Sequence, residues 1–144
     1  AGLGRAVVNA LPEEQINEYL GHRFEALCAE WLVEQAKKGK LPIAATAVSS
    51  WWGTNPDKRE QDDIDVLAAD RIEKRLIIGE CKYRESFYET AEIDDLESKR
   101  SLVKGYVATN FMLFTKREVS VATRAKLANR GDWRLVTLED MYAE

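Results

Sequence analysis

The chain has 144 residues, with 21 Lys and Arg against 25 Asp and Glu, a formal charge of −4, and 45% hydrophobic residues. That length suits one domain, which buries roughly 70% of the surface its unfolded chain exposes. Two cysteines, Cys28 and Cys81, are too few for a disulfide framework and wrongly spaced for a zinc knuckle. No apolar run approaches the roughly 20 residues of a membrane span, and no basic segment precedes an apolar core and cleavage site. A soluble protein in the reducing cytoplasm is expected. Because the chain opens on Ala1 rather than Met, it reads as a fragment of something longer.

Residues 13–38 carry Leu20, Phe24, Leu27, Cys28 and Trp31 at the 3.6-residue period of an amphipathic helix. Pro12 before an acidic first turn and a Lys-rich exit at Gly39 fit its ends, and Gly21 is a candidate interruption. "LPIAATAVSSWWG" reads as a strand, followed by "GTNPDKREQDD", a charged segment expected to be a mobile loop. "DIDVLAAD" and "RLIIGECKY" are two nearly continuous apolar strands joined by "RIEK", as expected of strands covered on both faces. "FYETAEIDDLESKRSLVKGY" follows as a second helix, with Ile93, Leu96 and Val103 at helical spacing. A strand "FMLFT", a third helix "EVSVATRAKLANR" ending at Gly131, a strand "WRLVT" and a final turn "LEDMY" complete the chain.

The order α-β-β-β-α-β-α-β predicts an α/β fold, a mixed sheet flanked by helices, because helical crossovers return strands parallel and cover the sheet. The glycine-rich "AGLG" at the start precedes any strand and lacks the Lys-Ser/Thr of a phosphate loop. An ATP-binding unit is therefore not expected within these residues.

Charge is distributed unevenly. Residues 1–95 carry 12 Lys and Arg against 19 Asp and Glu, whereas residues 96–134 carry 9 against 3. The second region reads either as a basic face for nucleic acid or as a solvated helix surface. More telling are charges placed where the pattern calls for core: Asp65 in one apolar strand, Glu80 and Lys82 at the end of the next. Residues two apart on a strand share a face, so Glu80 and Lys82 point together and Cys81 points away. Two carboxylates and the Cys81 backbone carbonyl are hard oxygen ligands of the kind Mg²⁺ accepts, with room for water and a substrate phosphate. Lys82 beside such a cation would orient water or stabilise developing charge. An ordinary ion pair among the same groups is the competing reading. Glu25, beside the apolar stripe of the first helix, either reaches this site or leans into solvent.

Helix Glu, strand Asp, then Glu-x-Lys on the next strand resembles the PD-(D/E)XK nuclease superfamily. From about residue 11 to the end, "YLGHRFEALCAEWL", "WWGTNPDKREQDDIDVLA", "GECKYRE", "FMLFTKREV" and "LVTLEDMY" are similar to the C-terminal domain of unknown function of archaeal-type prokaryotic AAA+ ATPases. The resemblance implies a restriction-endonuclease-like fold, Mg²⁺ or Mn²⁺ as cofactor, and hydrolysis of DNA phosphodiesters. Carried over, Glu25 is the helix acid, Asp65 and Glu80 the metal ligands and Lys82 the catalytic lysine; Ile64 stands where a Pro is common. Residues 1–144 would then be one nuclease-like domain whose partners are DNA and the N-terminal ATPase domain of the same parent chain. A catalytically inactive module of the same fold, binding DNA or protein, is the alternative, and self-association a third.

Trp51 and Trp52 alternate across a strand, so one is expected in the core and the other, Trp52, free to stack on an unpaired base. Lys99, Arg100 and Lys104 along the second helix are candidate phosphate contacts or a solvated face. His22, the single histidine, reads as a helix-surface residue, and Cys81 as an inert buried thiol.

Overall fold

The computed structural model describes residues 12–143. Its elements in chain order are α1 (Glu13–Lys37), β1 (Ala47–Asn55), β2 (Glu60–Asp70), β3 (Arg75–Lys82), α2 (Glu89–Ser98), β4 (Val107–Thr115), α3 (Val121–Ala128), β5 (Trp133–Thr137) and α4 (Leu138–Ala143). The strands form one mixed sheet in the order β1-β2-β3-β4-β5. The first two pairs are antiparallel hairpins and the last two, β3/β4 and β4/β5, are parallel. The mixed α/β sheet expected from the sequence is therefore present. No helix among the described residues is long and apolar enough to cross a membrane.

Two hydrophobic clusters divide the sheet into its faces. On one, α1 buries Phe24, Cys28, Trp31 and Leu32 against Val66, Ala68, Ile77, Met112 and Phe114, with Met141 of α4 beside them. On the other, α2 and α3 bury Ile93, Leu96 and Leu127 against Leu67, Leu76, Ile78 and Leu113. Both crossovers thus lie on the face opposite α1. Each fully buried large apolar side chain contributes about 1.5–3 kcal/mol, and β3 and β4 supply both layers, which is why they read as unbroken apolar runs.

Helix α1 follows Pro12, whose φ of −59° suits the entry, and carries Glu13 and Glu14 in its first turn. It runs unbroken through Gly21, and the exit at Gly39 takes a left-handed φ of 67°. Leu20, counted in the apolar stripe, is exposed.

Three sequence expectations are corrected. The strand placed over 41–53 starts only at Ala47. The segment expected to be a mobile loop is the end of the β1–β2 hairpin, with a four-residue turn at 56–59. Asn55 builds that turn: its Oδ1 accepts from Asp57 N–H (3.0 Å) and Lys58 N–H (3.2 Å), and its Nδ2 donates to Asp62 Oδ2 (3.0 Å). Asp70 repeats the device, accepting from Ile72 and Glu73 N–H at 3.0 Å, and Arg59 and Lys74 close the two turns with positive φ. Third, α2 stops at Ser98, ten residues long rather than twenty. Leu102 and Val103 still pack on the core from the turn that follows, which ends at Gly105 with φ 86°, and Tyr106 does so just beyond it.

A carboxylate cleft at the end of the β2–β3 hairpin

Asp65 sits at an irregularity. Between the pairs Ser49–Leu67 and Trp51–Ile64 the register slips, so β2 carries one residue more than β1. As a result Ile64 and Val66, two apart, pack into opposite clusters. The β2–β3 pairing ends at Val66–Gly79. Beyond it the Asp65 side chain replaces the ladder, its Oδ2 accepting from Cys81 N–H at 2.9 Å. In an extended strand the N–H and C=O of one residue face the same side, so the Cys81 carbonyl also faces β2. Gly79 permits the close packing just before the site. A Cβ there would lie 2.9 Å from both Phe114 and Val66.

The cleft opening at this point has a volume of 740 Å³ and is lined by Glu25, Asp65, Glu80, Cys81 and Lys82. All four proposed catalytic residues and the proposed carbonyl ligand are thus brought together. Lys82 Nζ lies 3.6 Å from Glu80 Oε1, as two side chains on one face of β3 should. Burial pushes the Glu80 carboxyl up to about 8, reinforced by the charge of Asp65 and a hydrogen bond to it, with Lys82 pulling the other way. Glu25, on α1, is also raised, by burial and then by Asp65, despite His22 Nδ1 at 3.7 Å. The cleft therefore holds more carboxylate than its cations balance. Burial and the neighbouring Asp65 thus hold Glu80 toward its protonated form, a cost that a divalent cation would relieve.

Among the described residues, no three His, Cys, Asp or Glu side chains gather as a metal site complete in itself. Two carboxylates with a backbone carbonyl fit Mg²⁺, which keeps several waters and uses few protein ligands. Cys81 points to the α1 face; contact with Cys28, then burial, push its thiol well above the ordinary range, as an inert thiol requires.

The four residues proposed for nucleic acid do not line the cleft. Lys99 is 4% exposed, not on a solvated helix flank: Nζ donates to Asp63 O at 2.7 Å and pairs with Asp62 (3.3 Å) and Asp95 (3.2 Å). The Arg100 guanidinium donates to Ala108 O (3.1 Å) and lies 4.8 Å from the centre of the Phe111 ring. Lys104 is exposed in the turn. Trp52 is 77% exposed while Trp51 packs on the core, the alternation expected.

Cations that the sequence reading passed over do line the cleft: Arg84 and Lys116 join Lys82. Both carried a signal. Arg84 continues the 80, 82, 84 alternation, and Lys116 follows a strand parallel to β3, at the carboxyl ends where open α/β sheets bind ligands. Glu92, in the first turn of α2, was also missed; its Oε1 is 3.1 Å from Lys82 Nζ.

The fold and the chain have relatives. The crystal structure of protein VC1899 from Vibrio cholerae matches with a TM-score of 0.63 and 20% identity, over 92% of this chain and 34% of that one, a likeness of fold. Uncharacterized protein MJECL04 from Methanocaldococcus jannaschii is 26% identical over 124 residues, 86% of this chain and 26% of that protein. The chain thus spans about a quarter of the one relative and a third of the other. The model of the family DUF234, archaea bacterial proteins of unknown function, matches residues 3–96, and the chain belongs to that family.

Proposed function

We propose that this is a Mg²⁺- or Mn²⁺-dependent nuclease domain of the PD-(D/E)XK type that hydrolyses DNA phosphodiester bonds, working as part of a cytoplasmic AAA+ ATPase. The observation that carries the reading is the convergence of Asp65, Glu80 and Lys82 in one cleft with an excess of carboxylate. Asp65, Glu80 and the Cys81 carbonyl would hold the cation. When bound, it supplies Lewis acidity, neutralising charge on the phosphoryl group and polarising the attacking water. Lys82 donates to a non-bridging phosphoryl oxygen as charge develops there. Glu25 borders the same space from α1 and can orient water by accepting its hydrogen bond. Relatives several times longer than this chain support a place within a larger protein.

The test is cleavage of duplex, branched and single-stranded DNA with Mg²⁺ or Mn²⁺, comparing wild type with Asp65→Ala and Lys82→Ala. Each substitution is expected to lower the rate by about 10²-fold or more, the scale of losing one positioned charge at a reacting centre. Equal rates in all three proteins would remove catalysis from this cleft. DNA binding without cleavage, unchanged by Asp65→Ala, would instead favour the inactive binding module.

A further inference from the structure

Lys82 stands between two carboxylates on different elements. Its own strand offers Glu80 at 3.6 Å, and α2 offers Glu92 at 3.1 Å, the shorter contact. We infer that Glu92 is a positioning residue of the cleft: it holds the Lys82 ammonium off Glu80 and so leaves the Asp65–Glu80 pair open to a divalent cation. The inference rests on the metal-dependent reading above and deepens it.

Glu92 is placed to do this. Its side chain is 26% exposed, and Ile93 beside it is buried in the core, which fixes the rotation of α2. A carboxylate in the first turn is favoured by the helix dipole. The start of that helix is itself pinned: Glu89 accepts from Ser120 N–H at 3.1 Å, from the Ser120 hydroxyl at 2.7 Å and from the Thr123 hydroxyl. Ser120 is the N-cap of α3, so the first turns of α2 and α3 are tied together and Glu92 is held on firm ground.

The consequence concerns the cost of admitting a cation. Lysine is a compact charge on a flexible four-carbon stem and follows the carboxylate within reach. A cation that engages Glu80 must take that carboxylate from Lys82. With Glu92 present, Lys82 keeps its better partner and the exchange costs little. With Glu92 neutral, Glu80 becomes the one ion-pair partner of Lys82 among the described residues, and ammonium and metal compete for it directly. Lys82 and Glu80 are only 18% and 13% exposed, so water screens that competition weakly.

The experiment is Mn²⁺ titration by calorimetry of wild type, Glu92→Gln, Glu92→Asp, Lys82→Ala and the double variant, with melting midpoints recorded for each. Glu92→Gln is expected to weaken Mn²⁺ binding about three- to tenfold, the scale of one charge pair redirected at a partly buried site. Glu92→Asp should recover most of that loss. In the Lys82→Ala background the effect of Glu92→Gln should shrink to about twofold or less, the screened influence of one distant charge. A structural role alone would lower the midpoint and survive Lys82→Ala undiminished. Wild-type affinity in Glu92→Gln, or an equal loss with and without Lys82, would overturn the inference while leaving the metal site standing. A wild type that binds no Mn²⁺ would overturn the metal site and this inference with it.

Discussion

Two groups of carboxylates flank the start of β2, built from the same residue types, and they end in opposite states. Asp62 and Asp95 lie on the α2 side with Lys58, Lys99 and Asn55. Burial works against both acids, yet the Asn55 amide, the Asp63 N–H and Lys99 hold Asp62 below the ordinary range, and Lys58 and Lys99 do the same for Asp95. In the cleft, Glu80 on β3 and Glu25 on α1 are driven up instead. What differs is the balance of partners. The first group has two ammonium groups and an amide for two acids; the second has acids left over, with Lys82 divided between Glu80 and Glu92. Matched charges there hold the fold together. Unmatched charges cost free energy where a core packs around them, and the proposed metal site rests on that excess.

Removing the buried cation of the first group should have the largest effect on stability. Burial disfavours the charge of Lys99, but Glu80, Asp95 and Asp62 outweigh it and raise its pKa. Lys99→Met leaves Asp62 and Asp95 with the half-exposed Lys58 as their remaining shared cation and Asp63 O without its donor, and is expected to cost about 2–4 kcal/mol in denaturant unfolding. A much smaller loss would mean that this network is as dispensable as a surface pair.

The two groups should also answer pH with opposite signs. Glu80 binds its proton more tightly folded than unfolded, between its ordinary value of 4.5 and about 8. Its contribution is full below pH 4.5 and is lost as pH rises through about 8. Glu25 and Asp63 shift the same way. Asp62 and Asp95, depressed, contribute above their unfolded values and lose that only in acid. In EDTA, the melting midpoint is therefore expected to fall on the order of 5 °C from pH 5 to pH 8.5. Glu80→Gln should flatten the decline, and saturating Mn²⁺ should offset it in the wild type by taking the proton's place. A wild-type midpoint that rises over this range in calorimetry would contradict the raised Glu80 carboxyl.

Much of this was legible in the sequence, for reasons that particular residues make plain. The apolar runs around Ile77 and Leu113 announce doubly covered strands, and alternation alone puts Glu80 and Lys82 on one face. Asp65 is different: the bulge that turns it toward Cys81 N–H depends on a slip of pairing with β1 and leaves no periodic trace. Val103 misled because it packs on the same cluster as Ile93 and Leu96, but from a turn rather than from α2. The 53–63 segment lacks an apolar pattern because its order comes from the Asn55 amide rather than from burial. Lys99 counted toward a basic region, since composition cannot see Asp62, 37 residues earlier, closing over it.

The same contrast can be sharpened inside the first group, because its two lysines share Asp62 and Asp95. Lys58 Nζ is 3.0 Å from Asp95 and 3.9 Å from Asp62, comparable with the contacts of Lys99, yet its side chain is 42% exposed. In water, the attraction is screened and the order imposed on a long side chain offsets much of what remains. When Lys58 is removed, Asp95 keeps Lys99 and Asp62 keeps Asn55 and the Asp63 N–H, so no acid is stranded. Lys58→Ala is accordingly expected to leave the thermal midpoint within about a degree of wild type in calorimetry at 0.15 M salt. A loss approaching that of Lys99→Met would show that stability in this group follows the number of ion pairs. An unchanged midpoint would place it in the one ammonium that folding takes out of water.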